Sequence, residues 1–176
     1  GIYDTVDSTL RELLEDLFSH NLNPSSPEET EKTGTPPPVY EIYDGFRFES
    51  SKGREKQSLL RNLSYFQTVT QLFVPLVKGH YCKTGDLRER YLKNFLHFYA
   101  FLCVNNPTNQ KLMTDNKEFL KTLLLIEYPS LQPLLLRVVS EMYRDNFSLL
   151  IQISQSPQNI ITLLLNKFFQ RFSYEE

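Results

Sequence analysis

LRERYLKNFLHFYAFLCVNNPTNQKLMTDNKEFLKTLLLIEYPSLQPLLLRVVSEMYRDN, Leu87 to Asn146, is the stretch that decides the fold. Leu87 to about Val104 has the spacing of a long amphipathic helix, with Tyr91, Leu92, Phe95, Phe98, Tyr99 and Leu102 on one face. Arg90, Lys93, Asn94 and His97 fall nearly opposite that face. Asn105-Asn106-Pro107 stops the helix, and Pro107 opens a short second one because a first turn tolerates proline. Phe119, Leu120, Leu123, Leu124 and Ile126 mark a middle helix that is apolar almost all round, as expected of one sandwiched in a stack. After Tyr128-Pro129-Ser130 a second long helix, Leu131 to Arg144, buries Leu134, Leu135, Val138, Val139 and Met142, and stops at Asp145-Asn146. The two stops, Asn105 and Asn146, lie 41 positions apart. Helical repeats of the HEAT and armadillo kind have periods of roughly 40–47 residues.

Working outward, Phe147 to Ile153 is again short, and Ser156-Pro157 starts a last helix carrying Ile160, Ile161, Leu164, Leu165, Phe168, Phe169 and Phe172. Upstream, residues 54–78 predict one helical stretch with Leu59, Leu60, Leu63, Phe66, Val69, Thr70, Phe73 and Val77 on a face. Pro75 is expected to kink or divide it near Phe73. Residues 79–85 read as a loop, with Asp86 as a cap for the next helix. At the N-terminus, Asp7 or Ser8 is placed to cap a helix over residues 7–20, with Leu10, Leu13, Leu14, Leu17 and Phe18 inward. Three regions follow: an N-terminal helix within residues 1–22, a proline-rich acidic insertion at 23–53, and a helical domain at 54–176. The insertion is expected to be flexible, because proline removes backbone donors and its polar residues bury nothing. Its end, Val39 to Phe48, carries enough rings to dock back on the helices.

Asn106-Pro107-Thr108-Asn109-Gln110-Lys111-Leu112-Met113, followed by Phe119-Leu120-Lys121-Thr122-Leu123-Leu124, resembles the joint of armadillo-like proteins. The same stretch looks faintly like the homology segments of ryanodine and inositol-trisphosphate receptor channels. The resemblance covers about a third of the chain and implies an all-α, armadillo/HEAT-like right-handed stack with the habit of binding partners. It implies no activity.

Bulk composition narrows the function classes. A net charge of −2 over 176 residues gives no global argument for nucleic acid or an anionic membrane. Six glycines argue against a turn-rich β-fold, while thirteen Phe and ten Tyr suit the seams between helices. No run approaches the roughly 18 apolar residues of a membrane span, and no signal peptide is evident. Gly1 in place of an initiator Met suggests a piece of a longer chain. Two cysteines, Cys82 and Cys103, make no disulfide framework, so reduced thiols and a cytoplasmic setting are expected.

Chemistry is sparse. His80-x-Cys82 lacks the further ligands a zinc site requires, and no nucleophile motif or phosphate-cradling glycine loop occurs. The expectation is a non-catalytic protein with no cofactor and no metal. Displacing the first long helix by forty positions maps His97 onto Arg137, Phe101 onto Glu141 and Val104 onto Arg144. Arg90, Lys93, Asn94, His97, Arg137, Glu141 and Arg144 are therefore predicted to line one long-helix surface for a peptide or a neighbouring domain. A structural or regulatory segment of a large assembly, such as an intracellular channel or giant scaffold, is the alternative. Its bare Phe168/Phe169/Phe172 end would then self-associate through the C-terminal helix. A second alternative is phosphate or nucleic-acid binding by the basic patch within residues 78–93, at Lys78, Lys83 and Arg88.

Overall fold

A computed structural model describes residues 1–19, 51–80 and 85–172. Every regular element in them is helical. In chain order these are α1 (Ile2–Ser19), α2 (Ser51–Asn62), α3 (Tyr65–Val77), α4 (Gly85–Cys103), α5 (Pro107–Thr114), α6 (Lys117–Leu124), a 3₁₀ turn (Pro129–Leu131), α7 (Gln132–Tyr143), α8 (Phe147–Ser154) and α9 (Ile160–Phe172). Residues 23–50 of the insertion, including its aromatic end, lie outside the described residues with Cys82 and Lys83, while the last three residues assigned to it, 51–53, instead open α2.

The helix stops work by one device used twice. Asn105 and Asp145 adopt left-handed backbone, with φ of 51° and 55°, a region that Asn and Asp enter more readily than most residues. Each is followed by an asparagine that caps the next helix. Asn106 accepts from the Asn109 amide at 3.0 Å, and Asn146 from the Leu149 amide at 3.3 Å. Asn116 caps α6 in the same way, accepting from Phe119 at 2.9 Å.

Helix α4 is the axis of the molecule. From Tyr91 to Cys103 every residue except Lys93 is buried, because α4 packs against α1, α2, α3, α5 and α7. Its rings meet those of α3 and α6: Tyr99 lies 4.5 Å from Phe119 and 5.1 Å from Phe73, and Phe66 stands edge-on to Phe119 at 5.3 Å. Such edge and tilted pairs add about 0.5–1.5 kcal/mol each beyond burial. The Tyr99 hydroxyl is satisfied by Thr70 at 2.9 Å, and burial pushes its pKa far up.

The long helices form a row, α1 on α4 and α4 on α7, while α3, α6 and α9 form a second row behind them. A hydrogen-bond ladder of side-chain amides repeats along the stack. Gln57 on α2, fully buried, donates to the Phe101 and Val104 carbonyls at the end of α4 at 2.8 and 2.9 Å. Gln110 on α5 donates to the Glu141 and Arg144 carbonyls at the end of α7 at 2.8 and 3.1 Å. Asn106 then donates to Gln57 at 3.1 Å, and Asn146 to Gln110 at 2.9 Å. Phe101, Val104 and Asn106 each lie forty positions before their counterparts. The orphan carbonyls of a helix C-terminus are thus met by an amide from the short helix of the same layer.

Two expectations change. Residues 54–78 are not one helix kinked at Pro75. The break falls at Ser64, whose left-handed φ of 59° turns the chain, and α3 runs through Pro75 to Val77. Leu59 and Leu63 fitted a continuous stripe in sequence, yet both are exposed. Asp7 is not a cap: α1 starts at Ile2, and Asp7 is a buried mid-helix residue accepting from Asn94 at 2.6 Å and paired with Arg11 at 3.2 Å. Asn109 and Gln110 are both interior. Asn109 is fully buried and donates to the Leu102 and Gln57 carbonyls at 2.8 and 3.3 Å.

Candidate partner-binding surface

The seven residues expected on the long-helix surface all lie on α4 and α7 or directly after it, but they do not share one solvent-facing plane. Arg90 is exposed, its guanidinium 5.5 Å from the Tyr91 ring. Lys93 and Arg137 are half-buried, and Arg144 is exposed. Asn94, His97 and Glu141 are interior. For His97 and Glu141 the physical reason is the contact of α4 with α7, and for Asn94 it is α1. It lies along α4, stacking Tyr3 on Tyr91 at 6.1 Å, taking the Tyr91 hydroxyl on Asp4 and anchoring Asp7 on Asn94. The face that α4's periodicity leaves for a partner is therefore covered in part by the chain's own N-terminal helix.

His97 sits where α4 meets α7, beside Arg137 and Glu141, and stacks on Phe101 at 6.5 Å. The cleft they share holds about 10 Å³, room for one water. Desolvation lowers the His97 pKa to about 4, with Lys93 and Arg137 pushing the same way, so the ring is neutral at physiological pH. Glu141, in the last turn of α7, is paired with Arg144 at its C-terminus at 3.0 Å. What reaches solvent is a cationic strip of Arg90, Lys93, Arg137 and Arg144, with Glu141 beneath its end.

The basic patch divides. Lys78 is exposed. Arg88 is half-buried, donates from Nε to the Tyr128 hydroxyl at 2.7 Å, and lies 5.6 Å from that ring's centre. It also closes over Gly79, whose φ of +78° and lack of a Cβ admit the guanidinium. Arg88 thus ties the α3–α4 loop to the α6–α7 connection, reinforced by Ser130 donating to Glu89.

Among the described residues no group of three or more His, Cys, Asp or Glu is placed to hold a metal ion. Cys103 is buried, and desolvation, aided by Glu141, holds its thiol far above the usual range, so it packs as a small apolar residue. No helix of the described residues is long and apolar enough to cross a membrane.

No protein-family model, curated protein or solved structure matches the chain. Its reading rests on its own geometry.

One feature was not legible in sequence. A groove of about 420 Å³ opens between α7, α8 and α9, floored by Val139, Tyr143 and Leu164 and rimmed by Leu136, Leu150 and Leu165. Burial raises the Tyr143 pKa to about 12. Each of these residues fits an ordinary helix stripe, so periodicity alone reports them as core. The groove exists because α8 and α9 form a layer with no long helix in front of it.

Proposed function

We propose that this chain is a non-catalytic protein–protein interaction scaffold, an armadillo/HEAT-like right-handed stack that engages a peptide or a neighbouring domain along its row of long helices. The observation that carries this reading is the amide ladder. The same glutamine-to-carbonyl and asparagine-to-glutamine bonds recur one layer on, which supports a repeated unit. A stack of repeated units presents an extended surface on which a partner is read by side chains held at fixed intervals. The accessible part of that surface is narrower than the sequence implies, since α1 occupies the Asn94 side. It is also basic, so Arg90, Lys93, Arg137 and Arg144 suit an acidic segment.

The test is charge reversal in full-length protein. Arg90→Glu with Arg137→Glu should abolish recovery of a crosslinked partner from cell extract. Reversal at exposed Lys117 and Lys121 on α6 should leave recovery unchanged. The opposite pattern would mean that the wrong face has been chosen.

The reading as a structural or regulatory segment of a larger assembly is favoured by one observation. Phe147 on α8 and Phe169 on α9 are 79% and 69% exposed. Large rings so placed are usually covered by something. Phosphate or nucleic-acid binding at Lys78, Lys83 and Arg88 is less well supported, because Arg88 is half-buried, donates its Nε–H to Tyr128 and lies over Gly79.

A further inference from the structure

We infer that the groove between α7, α8 and α9 is the seat of an amphipathic helix from a partner protein, docked on α7 as α7 itself docks on α4. The inference rests on the stacked reading above and names a class of partner for its open end.

The argument is positional. The groove-facing residues of α7 are Leu136, Val139, Ser140 and Tyr143. Forty positions earlier stand Leu96, Tyr99, Ala100 and Cys103 on α4, which are 0%, 0%, 7% and 0% exposed. Ala100 lies beside Arg137 and Glu141 of α7, and Tyr99 against Phe119 of α6 as well as the rings of α3. On α7 the counterpart of Leu96, Leu136, is 39% exposed, and the opposite rim, Leu165, is 43% exposed. The groove therefore continues an interface the molecule already makes twice, α1 on α4 and α4 on α7. A pair of helices behind it, α8 and α9, stands as α5 and α6 stand behind α7.

The chemistry of the occupant follows from the walls. They are apolar except at Ser140, Arg144 and Asp145, so the occupant carries an apolar stripe at i, i+3 or i+4, and i+7. In the two complete layers a buried glutamine binds the last carbonyls of the long helix. Here Leu150 stands forty positions after Gln110, so the occupant is held by packing without that amide. A second copy's α1 does not fit. Its apolar side is committed to α4, and the side it leaves open carries Thr5, Ser8, Glu12 and Glu15, all exposed.

The probe is a labelled peptide of residues 131–144, the sequence that fills the equivalent position on α4, titrated with the full chain and followed by fluorescence anisotropy. Saturable binding is expected, weakened about tenfold or more by Leu136→Glu or Leu165→Glu, since each places a charge on an apolar contact. Both positions are partly exposed, so the variants should keep the helical circular dichroism of the parent. A peptide carrying Val138→Asp should bind at least about tenfold more weakly. Absence of binding, binding indifferent to the rim substitutions, or equal binding of the Val138→Asp peptide would each overturn the assignment. So would concentration-dependent self-association of the chain that Leu136→Glu abolishes, because the seat would then belong to a second copy. If the peptide fails while Arg90→Glu with Arg137→Glu still abolishes partner recovery, the groove assignment falls and the scaffold reading stands.

Discussion

Replacing Gln57 with leucine tests the ladder most directly. The side chain is fully buried and makes three side-chain bonds, two as donor at 2.8 and 2.9 Å and one as acceptor at 3.1 Å. Leucine is close enough in volume to leave little void, so the cost is electrostatic. It strands the Phe101 and Val104 carbonyls and the Asn106 amide. Each buried polar group left without its partner costs about 1–3 kcal/mol. Partial relaxation of Asn106 brings the total to about 3–5 kcal/mol, a large share of the roughly 5–15 kcal/mol that holds a domain folded. Urea denaturation followed by circular dichroism should show the midpoint fall with the slope unchanged. A double-mutant cycle with Asn106→Ala should give a coupling of about 1 kcal/mol or more, since the two amides share one bond. Gln110→Leu should act in the same sense but cost less, because its bonds to Arg144 and Asn146 are only part-buried. If Gln57→Leu costs under about 1 kcal/mol and shows no coupling, the ladder is ornament and the repeat argument loses its support.

Three further outcomes follow from the same geometry. His97 has its pKa lowered to about 4, so the unfolded chain binds more protons between that value and about 6.5; stability should be full above pH 6.5 and fall by about 3 kcal/mol as pH drops to 4, and thermal melts of His97→Leu between pH 7 and 5 should lose most of that slope. Gly79→Ala should destabilise by about 1–2 kcal/mol from its left-handed backbone alone, and it should also displace Arg88, seen as loss of the Tyr128 contribution in near-ultraviolet circular dichroism; an unchanged spectrum would contradict the clamp. Asp7→Ala removes the anion that Asn94 and Arg11 share, so α1 amides should exchange hydrogen about tenfold faster while α3 and α6 stay protected. Uniform protection across α1 would show that α1 is held by its apolar side chains alone.

The sequence by itself determined that the described residues are helical and where the helices before Asn105 and Asp145 end. The reason is local: 3.6-residue periodicity, a left-handed Asn or Asp at a stop and an asparagine cap after it are all written within a few positions. It also carried the forty-position offset between Asn105-Asn106 and Asp145-Asn146, two helix stops that use the same left-handed residue and asparagine cap. Which face of α4 is free was not written there. Arg90, Lys93, Asn94 and His97 share a polar stripe, and only tertiary packing decides that Asn94, under α1, and His97, against α7, are interior while Arg90 is not. The partner of Gln57 was equally hidden, because a lone glutamine in a polar helix carries no signal until α4 ends beside it. The groove on α7 was hidden for the opposite reason. A leucine facing a neighbour and a leucine facing an empty seat have the same periodicity, and only the order in which layers stack tells them apart.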